Sequence, residues 1–431
     1  VRIPASRSGH RAPVPARQVN SPIVRPDAPV AVVGAGLAGL SCAVALHDAG
    51  VPVQVYEASD GVGGRVRTDH VDGFQLDRGF QVALTAYPEM HRQLDMAALD
   101  LRAFDPGALV WRNGKGSVVG DPFRKPTTAL STVGAPIGSP FDKARIAWLR
   151  HRLRRVHPVR LLQSDDASTR EALTGAGFSD TIIERFFRPL VGGIQLDPDL
   201  TDSRRMFDII FRMLADGDSA VPAAGMQAIP RQLADRLPTG SVHLASPVTS
   251  TSPTSITVEG STISAAAVVV ATEGPTAASL LDLPPVESKS VGAVYFSASE
   301  PPIDDKLVVL DGTGEGPVLN VAVMSNVAPS YAPPGSHLIV AALPGDDGPS
   351  IDTDARTQLR GWWGAQVDSW EHVGTYRIAH GQPRQRPPFN PKRRVLLDDG
   401  RFVCGDHRDT ASIQGAMYSG RRCGLGVAAE I

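Results

Sequence analysis

Three glycines, Gly34, Gly36 and Gly39, stand at G-x-G-x-x-G spacing in VVGAGLAGLSCAVALHDAGVPVQVYEAS (32–59), and an acid, Glu57, closes the apolar run that follows. That spacing serves phosphate chemistry. The first glycine permits a tight turn out of a strand, and the second lets the backbone approach a pyrophosphate with no Cβ in the way. The third lets a helix lie close to the sheet. The N-terminus of such a helix carries roughly half a positive elementary charge and N–H groups without partners. Glu57 can accept hydrogen bonds from both hydroxyls of an adenosine ribose, and its charge repels a 2′-phosphate, which argues against NADP. A strand before, a helix after and an acid at the next strand end favour dinucleotide binding over a glycine turn that only eases helix packing.

The elements that must position these residues are legible nearby. Residues 29–33 (PVAVV) read as a buried parallel strand, 37–49 as a helix ending at Gly50, and 52–56 (PVQVY) as a second strand, which together make a βαβ unit. Residues 242–272 are short β runs broken by turn residues and ending in another buried strand at 267–272. The last run, RFVC (401–404), is followed by Gly405 and Asp406. Residues 141–162 and 168–215 read as helical, with breaks at Pro158 and at Gly175 and Gly177. Residues 291–298 and 336–343 read as strands between Pro- and Gly-rich loops. The expected fold is α/β: a Rossmann-type nucleotide-binding domain from 29–110, 216–290 and 395–431, with an inserted α+β substrate domain from 111–215 and 291–394.

Just past Glu57, EASDGVGGRVRT brings a glycine pair, Gly63 and Gly64, followed by Arg65. A nicotinamide-binding βαβ unit has no need of that. The pair offers a second backbone approach, and the arginine a fixed cation for a distal phosphate. With this segment and the C-terminal FVCGDHRDTASIQGAMYSGRRCGLGVA, the chain resembles the flavin amine oxidase superfamily, which includes monoamine and polyamine oxidases, protoporphyrinogen oxidases and phytoene desaturases. Both ends carry the pattern, and the middle, roughly 110–395, follows it more loosely.

The resemblance implies bound FAD. Gly34, Ala35, Gly36, Leu37, Ala38 and Gly39 would cradle the pyrophosphate. Glu57, with Ala58 beside it, would hold the adenosine ribose, and Gly64 and Arg65 would meet the phosphates. Val248 matches the position whose backbone pairs with adenine. Gly405 and Asp406 would serve the ribityl and pyrophosphate portion. Ile413, Gln414 and Ala416 would lie near the N1 and O2 edge of the ring, where a helix starting near Ser412 supports negative charge. In DGFQLDRGFQVAL (72–84), Gly79, Phe80, Gln81 and Val82 would touch the ring, although an ordinary alternating strand reads much the same.

The resemblance also implies an FAD-dependent oxidoreductase that takes a hydride from a C–H bond of a small apolar or amine substrate. An isomerase or mutase without net redox change, or a non-catalytic binding protein of the same fold, are the alternatives. One family mark is displaced. Where many amine oxidases carry a lysine on a central strand, this chain has Val291, with Lys289 two residues earlier. Arg188 or Arg205 could meet a substrate carboxylate, against the plainer reading of a surface ion pair. Arg408 and Asp409 could contact cofactor or pair with each other. His380 is a candidate general base, against the plainer reading of a hydrogen-bonded loop histidine. No catalytic base is assigned.

The chain has 431 residues, a net charge of -2 and 20 % charged residues, which implies two domains and no field driving nucleic-acid binding. Three cysteines make no disulfide framework. They fit a reducing, cytoplasmic setting and read as small buried apolar side chains. With no C-x-x-C or H-E-x-x-H, no metal is expected. Residues 1–28 hold five arginines and no acid before Asp27. They read as a disordered tail rather than a transit peptide. The run at 141–162 carries seven Lys/Arg and one Asp. Its default reading is a solvated basic face, and its sharper one is peripheral contact with an anionic membrane surface.

Overall fold

The computed structural model describes residues 28–431, so the expected tail at 1–28 lies outside the described residues but for its last position. Strand β1 (Val30–Val33), helix α1 (Leu37–Asp48) and strand β2 (Val53–Tyr56) form the βαβ unit. β1 pairs in parallel with β2 on one side and with Val268–Val270 on the other. Val242–His243 and Phe402–Val403 extend the sheet to five parallel strands. A parallel sheet must be covered on both faces, and the alternation of β1 shows how. Val30 and Val32 point to the core under α1, whereas Ala31 and Val33 point to a small core beneath an antiparallel meander, Val248–Ser252, Ser255–Val258 and Ser261–Ser264. The C-terminal helix Ile413–Glu430 crosses α1 at close range. A Cβ on Gly420 would sit 2.0 Å from the Ala38 carbonyl oxygen.

A second sheet has seven strands. In spatial order they are Glu371–Pro383, Ser288–Ala298, His337–Pro344, Asn320–Val323, Val308–Asp311, Gly107–Arg112 and Lys115–Gly120. All neighbours are antiparallel except Val308–Asp311 with Gly107–Arg112. Along Ser288–Ala298, Val294 and Phe296 face a tryptophan-rich core built on the helix Ile351–Trp363, while Ala293 and Tyr295 face the main core. Divisions at 110/111 and 290/291 therefore fall inside strands Gly107–Arg112 and Ser288–Ala298, each of which belongs whole to this sheet.

The helical stretch has more breaks than its composition announced. Helix Pro140–Arg155 ends at Val156, before His157 and Pro158, and short helices follow at Pro158–Leu161 and Thr169–Gly175. Helix Arg204–Asp216 packs there through an aromatic cluster in which Phe187 meets Phe178, Phe186 and Phe207 edge-on.

Candidate functional site

In open α/β sheets the useful ground lies beyond the carboxyl ends of the strands, and here the sheet's chain ends gather there. β1 runs into Gly34, and β2 into Glu57. Val268–Val270 leads to Glu273, and Phe402–Val403 leads to Gly405 and Asp406. Each turn glycine has its own constraint. Gly34 holds φ +104°, which L side chains rarely adopt, and a Cβ there would lie 3.1 Å from the Ala271 carbonyl oxygen. A Cβ on Gly39 would fall 1.9 Å from the Gly34 oxygen, so helix and turn abut. A Cβ on Gly36 would meet nothing within 4 Å. Gly36 is thus free of steric need inside the protein and opens a space that only something from outside can fill.

The second glycine loop docks on the first. Gly63 N–H donates to the Ala35 carbonyl (2.8 Å), and Gly36 and Gly63 form a parallel bridge. Arg65 then spans the site. One guanidinium nitrogen donates to Asp406 Oδ2 (2.8 Å) and another to the Gly381 carbonyl (2.7 Å). Residues 341 positions apart are in this way joined within one groove, lined by Arg65, Glu273, Gly274, Ser288, His380 and Asp406.

Glu57 is half-buried. Its Oε2 accepts from the Ala35 N–H (2.7 Å), and its Oε1 accepts from the Ser59 N–H and hydroxyl (3.0 and 2.7 Å). Ala58 beside it is exposed. Ser246 N–H donates to the Glu57 carbonyl (2.8 Å), which brings the start of the meander at Val248 to the same end of the groove.

The far end is built from residues 77–89 and the C-terminal helix. Gln81 donates from Nε2 to the carbonyls of Arg65 (2.8 Å) and Arg78 (3.0 Å), while its Oε1 is buried without a partner. Phe80 and Val82 are half-buried, and Gly79 meets Ile378, whose Cδ1 lies 3.1 Å from where a Cβ would stand. The helix begins as expected at Ser412, whose Oγ accepts from Gly415 N–H (3.0 Å). Its main-chain oxygen takes the Ala416 N–H, which leaves Ile413 and Gln414 as the remaining donors of the first turn. The Gln414 side chain is turned away: its Oε1 accepts from Glu89 N–H (2.8 Å).

Several groups that hold this end together are silent in the sequence. Glu89 receives two bonds from Arg421 (2.8 Å each) and one from Gln93 (2.8 Å), which pins the C-terminal helix to helix Pro88–Gln93. Burial alone pushes the Glu89 carboxyl up, but Arg421 and Gln93 reverse this and hold it below its ordinary value. Asp77, two residues before Gly79, is buried and accepts from the Thr68 hydroxyl (2.6 Å), Met226 N–H (2.9 Å) and the Tyr331 hydroxyl (2.8 Å). Burial raises it to about 6 despite these donors. Tyr295 donates to the Asp77 carbonyl (2.7 Å), so the large sheet fixes the backbone that leads into Gly79. None of these pairs has a motif spacing. Only the buried carboxylates themselves, in otherwise apolar stretches, could have drawn notice.

The remaining candidate residues have partners of their own. Lys289 is buried and ion-paired with Asp202, which also accepts Gln385 N–H (3.0 Å); its ammonium does not face the groove as a free group. A β-bulge between Lys289 and Val291 also breaks the simple two-residue register. Arg205 meets no acid: it donates to the carbonyls of Ser164 and Phe389, whereas Arg188 reaches Glu184 at 3.8 Å. Arg408 bonds the Arg394 carbonyl and Asp409 caps Thr410, so they do not pair with each other. His380 lies on strand Glu371–Pro383 rather than in a loop, with Nδ1 2.6 Å from the Ser288 hydroxyl. Burial depresses His407 to about 4, so it is neutral near pH 7. Cys42, Cys404 and Cys423 are free and buried, and their sulfurs lie within 4.8 Å of one another beneath the crossing of α1 and the C-terminal helix.

Residues 37–424 match the family described as flavin containing amine oxidoreductase. The chain belongs to that family. It is an FAD-dependent oxidoreductase. Protoporphyrinogen oxidase 2 of Arabidopsis thaliana is 29 % identical over 191 residues, covering 41 % of this chain and 35 % of that one. Hydroxysqualene dehydroxylase of Sinorhizobium fredii is 45 % identical over 58 residues, covering 13 % and 14 %. The matches thus span about a third or less of these relatives' own length. In fold the agreement is nearly complete: a putative protoporphyrinogen oxidase from Exiguobacterium sp. 255-15 superposes with TM-score 0.72 at 16 % identity, over 94 % of this chain and 99 % of that one.

The residues present fit the flavin of this family. Gly36 leaves a cradle that a Cβ would fill, the Gln81 Oε1 is an orphaned acceptor in the far half of the groove, and two first-turn N–H groups await partners.

Proposed function

We propose that this flavin oxidoreductase takes a hydride from a C–H bond of a small, apolar substrate. FAD, when bound, supplies the two-electron acceptor. The chain's residues would divide the labour along the groove. Val248, Ala58 and Glu57 would hold the adenosine end. Gly34, Ala35, Gly36, Leu37, Ala38 and Gly39, with Gly64, Arg65, Gly405 and Asp406, would hold the phosphates and ribityl chain. Gly79, Phe80, Gln81 and Val82 would flank the ring. The first-turn N–H groups of Ile413 and Gln414, ahead of Ala416, would favour negative charge at their end of the site, since they sit at the positive end of an 18-residue helix.

The observation that carries the apolar reading is the company of two glycines and one lysine. Ile378 stands against Gly79, Val291 and Leu196 stand against Gly381, and Lys289 on the neighbouring strand is committed to Asp202. Aliphatic neighbours and a lysine already paired favour dehydrogenation of a carbon skeleton over recognition of an amine. The name of one curated relative, an oxidase of a porphyrinogen, supports the same class, and that of another, a dehydroxylase of a hydroxysqualene, supports an apolar substrate.

Anaerobic reduction of the yellow protein by a panel of amines, polyenes and porphyrinogens tests this. Bleaching by an apolar donor and not by amines is expected. Bleaching by amines alone would overturn it.

A further inference from the structure

Nine large apolar side chains are exposed among the described residues, and six of them fall between 123 and 159. Leu130 is 87 % exposed, Phe141 74 %, Val133 70 %, Phe123 66 % and Trp148 62 %. A soluble surface scatters such residues singly, so their concentration in one short stretch calls for a partner.

The helix Pro140–Arg155 shows how the surface is made. Its inner face buries Asp142, Leu149 and Leu153. At 3.6 residues per turn, Phe141, Arg145, Trp148, Arg152 and Arg155 share a stripe about 100° round the helix from that face, and all but the half-buried Arg152 are exposed. That stripe is not the polar face of an ordinary surface helix, because its two largest members are aromatic. The helix is fixed in place by a capping box at Ser139 and Asp142. Lys143 donates to the carbonyls of Val133 and Ala135 (2.7 Å to the latter), which holds Leu130 and Val133, one turn apart on helix Ala129–Gly134, beside the first turn bearing Phe141.

The charges divide in an informative way. Arg150 and Arg154, off the stripe, are ion-paired with Asp121 and Asp216. Among the described residues no carboxylate within salt-bridge distance meets Arg155, and Arg145 only grazes Asp142 at 4.0 Å. Arg152 is half-buried: its guanidinium lies 5.4 Å from the centre of the Trp148 ring, its Nε is buried, and it lines a cavity with Glu171, Arg204 and Asp208. An aromatic and aliphatic patch edged by the exposed Arg145 and Arg155 is complementary to a surface with a negative outer layer and an apolar layer beneath it.

We propose that this face docks the protein onto an anionic lipid bilayer, lying in the interfacial plane without crossing it. No helix among the described residues is long and apolar enough to cross a membrane. Phe141, Trp148, Leu130 and Val133 enter the boundary between headgroups and acyl chains, and Arg145 and Arg155 meet lipid phosphates. A second copy of the chain is a poor occupant, because a two-fold contact would set these arginines against each other. A nucleic acid would meet the arginines but leave the aliphatic side chains in water.

The test is co-sedimentation of the full FAD-loaded chain with vesicles of phosphatidylcholine, with and without phosphatidylglycerol. Two variants accompany it: Phe141→Ser with Trp148→Ser, and Arg145→Gln with Arg155→Gln. All four side chains are exposed, so both variants should keep the parent's melting curve and flavin absorbance. Expected are tighter binding to the anionic vesicles by about tenfold or more, a loss of roughly fivefold per arginine removed, and a loss of about tenfold or more in the aromatic variant. The proposal fails if the parent binds neither vesicle or if neither variant weakens binding. It also fails if the parent is an oligomer that the aromatic variant turns into monomer, or if it binds duplex DNA but no vesicle.

Discussion

The five-stranded parallel sheet and the seven-stranded sheet place functional groups by different means. In the parallel sheet each group stands one to three residues beyond a strand end, so a turn in the sequence is a position in the site: Gly34 after β1, Glu57 after β2, Asp406 after Phe402–Val403. In the larger sheet the groups that matter sit mid-strand and act on segments far away, as Tyr295 does on Asp77 and Lys289 on Asp202. Strand ends advertise themselves through glycine and acid spacing. Cross-sheet contacts have no local signature.

That contrast gives an ordered series of tests. The largest effect is expected from Gly39→Val, which places side-chain atoms against the Gly34 carbonyl and should cost roughly 4 kcal/mol or abolish soluble expression. Its neighbour Gly36→Val meets open space, so the melting temperature of the flavin-free protein should hold while FAD affinity falls by about a hundredfold or more. Equal behaviour of the two variants would break the claim that one glycine serves the fold and the other the ligand.

Lys289→Met leaves Asp202 buried without its cation, and a loss of about 3–4 kcal/mol is expected in denaturant melts, with flavin content unchanged. A matching loss of flavin would mean that the two sheets are not separable in this way. Glu89→Gln should cost about 3 kcal/mol at neutral pH by unpairing Arg421. Because the Glu89 carboxyl is held below its ordinary value, its stabilisation is present above the unfolded pKa of about 4.3 and is lost as pH falls through the lower folded value. Parent and variant melts should therefore converge in acid.

Asp77 has the opposite sign. Its folded value of about 6 exceeds the unfolded one, so the native state binds the extra proton and this group costs stability as pH rises from about 4 to 6. Asp77→Asn should remove that slope while losing about 2 kcal/mol at pH 5, since its amide cannot accept from Thr68, Met226 and Tyr331 together. The smallest effect, about 1 kcal/mol, is expected for Ser412→Ala, which deletes the cap of the C-terminal helix.

What was legible follows the same division. The βαβ unit, the meander strands, the last strand and the start of the C-terminal helix at Ser412 were readable, because buried parallel strands and glycine turns leave local patterns. That Arg65 and Asp406 belong to one site was implied only by resemblance, and their ion pair not at all, since no local rule links residues 341 apart. The direction of Lys289 was not legible, because a β-bulge and a partner on another segment decide it. The orientation of the Gln414 side chain could not be read, for it is set by the backbone of Glu89.

The central claim is that the two ends of the chain close around one flavin. Its most direct test is fluorescence-monitored titration of flavin-stripped protein with FAD, for the parent and for Arg65→Met and Asp406→Asn. The account predicts one FAD per parent chain and affinity lowered by about tenfold or more in each variant, with the double variant little worse than either single one. A parent that takes up no FAD, or variants that bind it as the parent does, would contradict it.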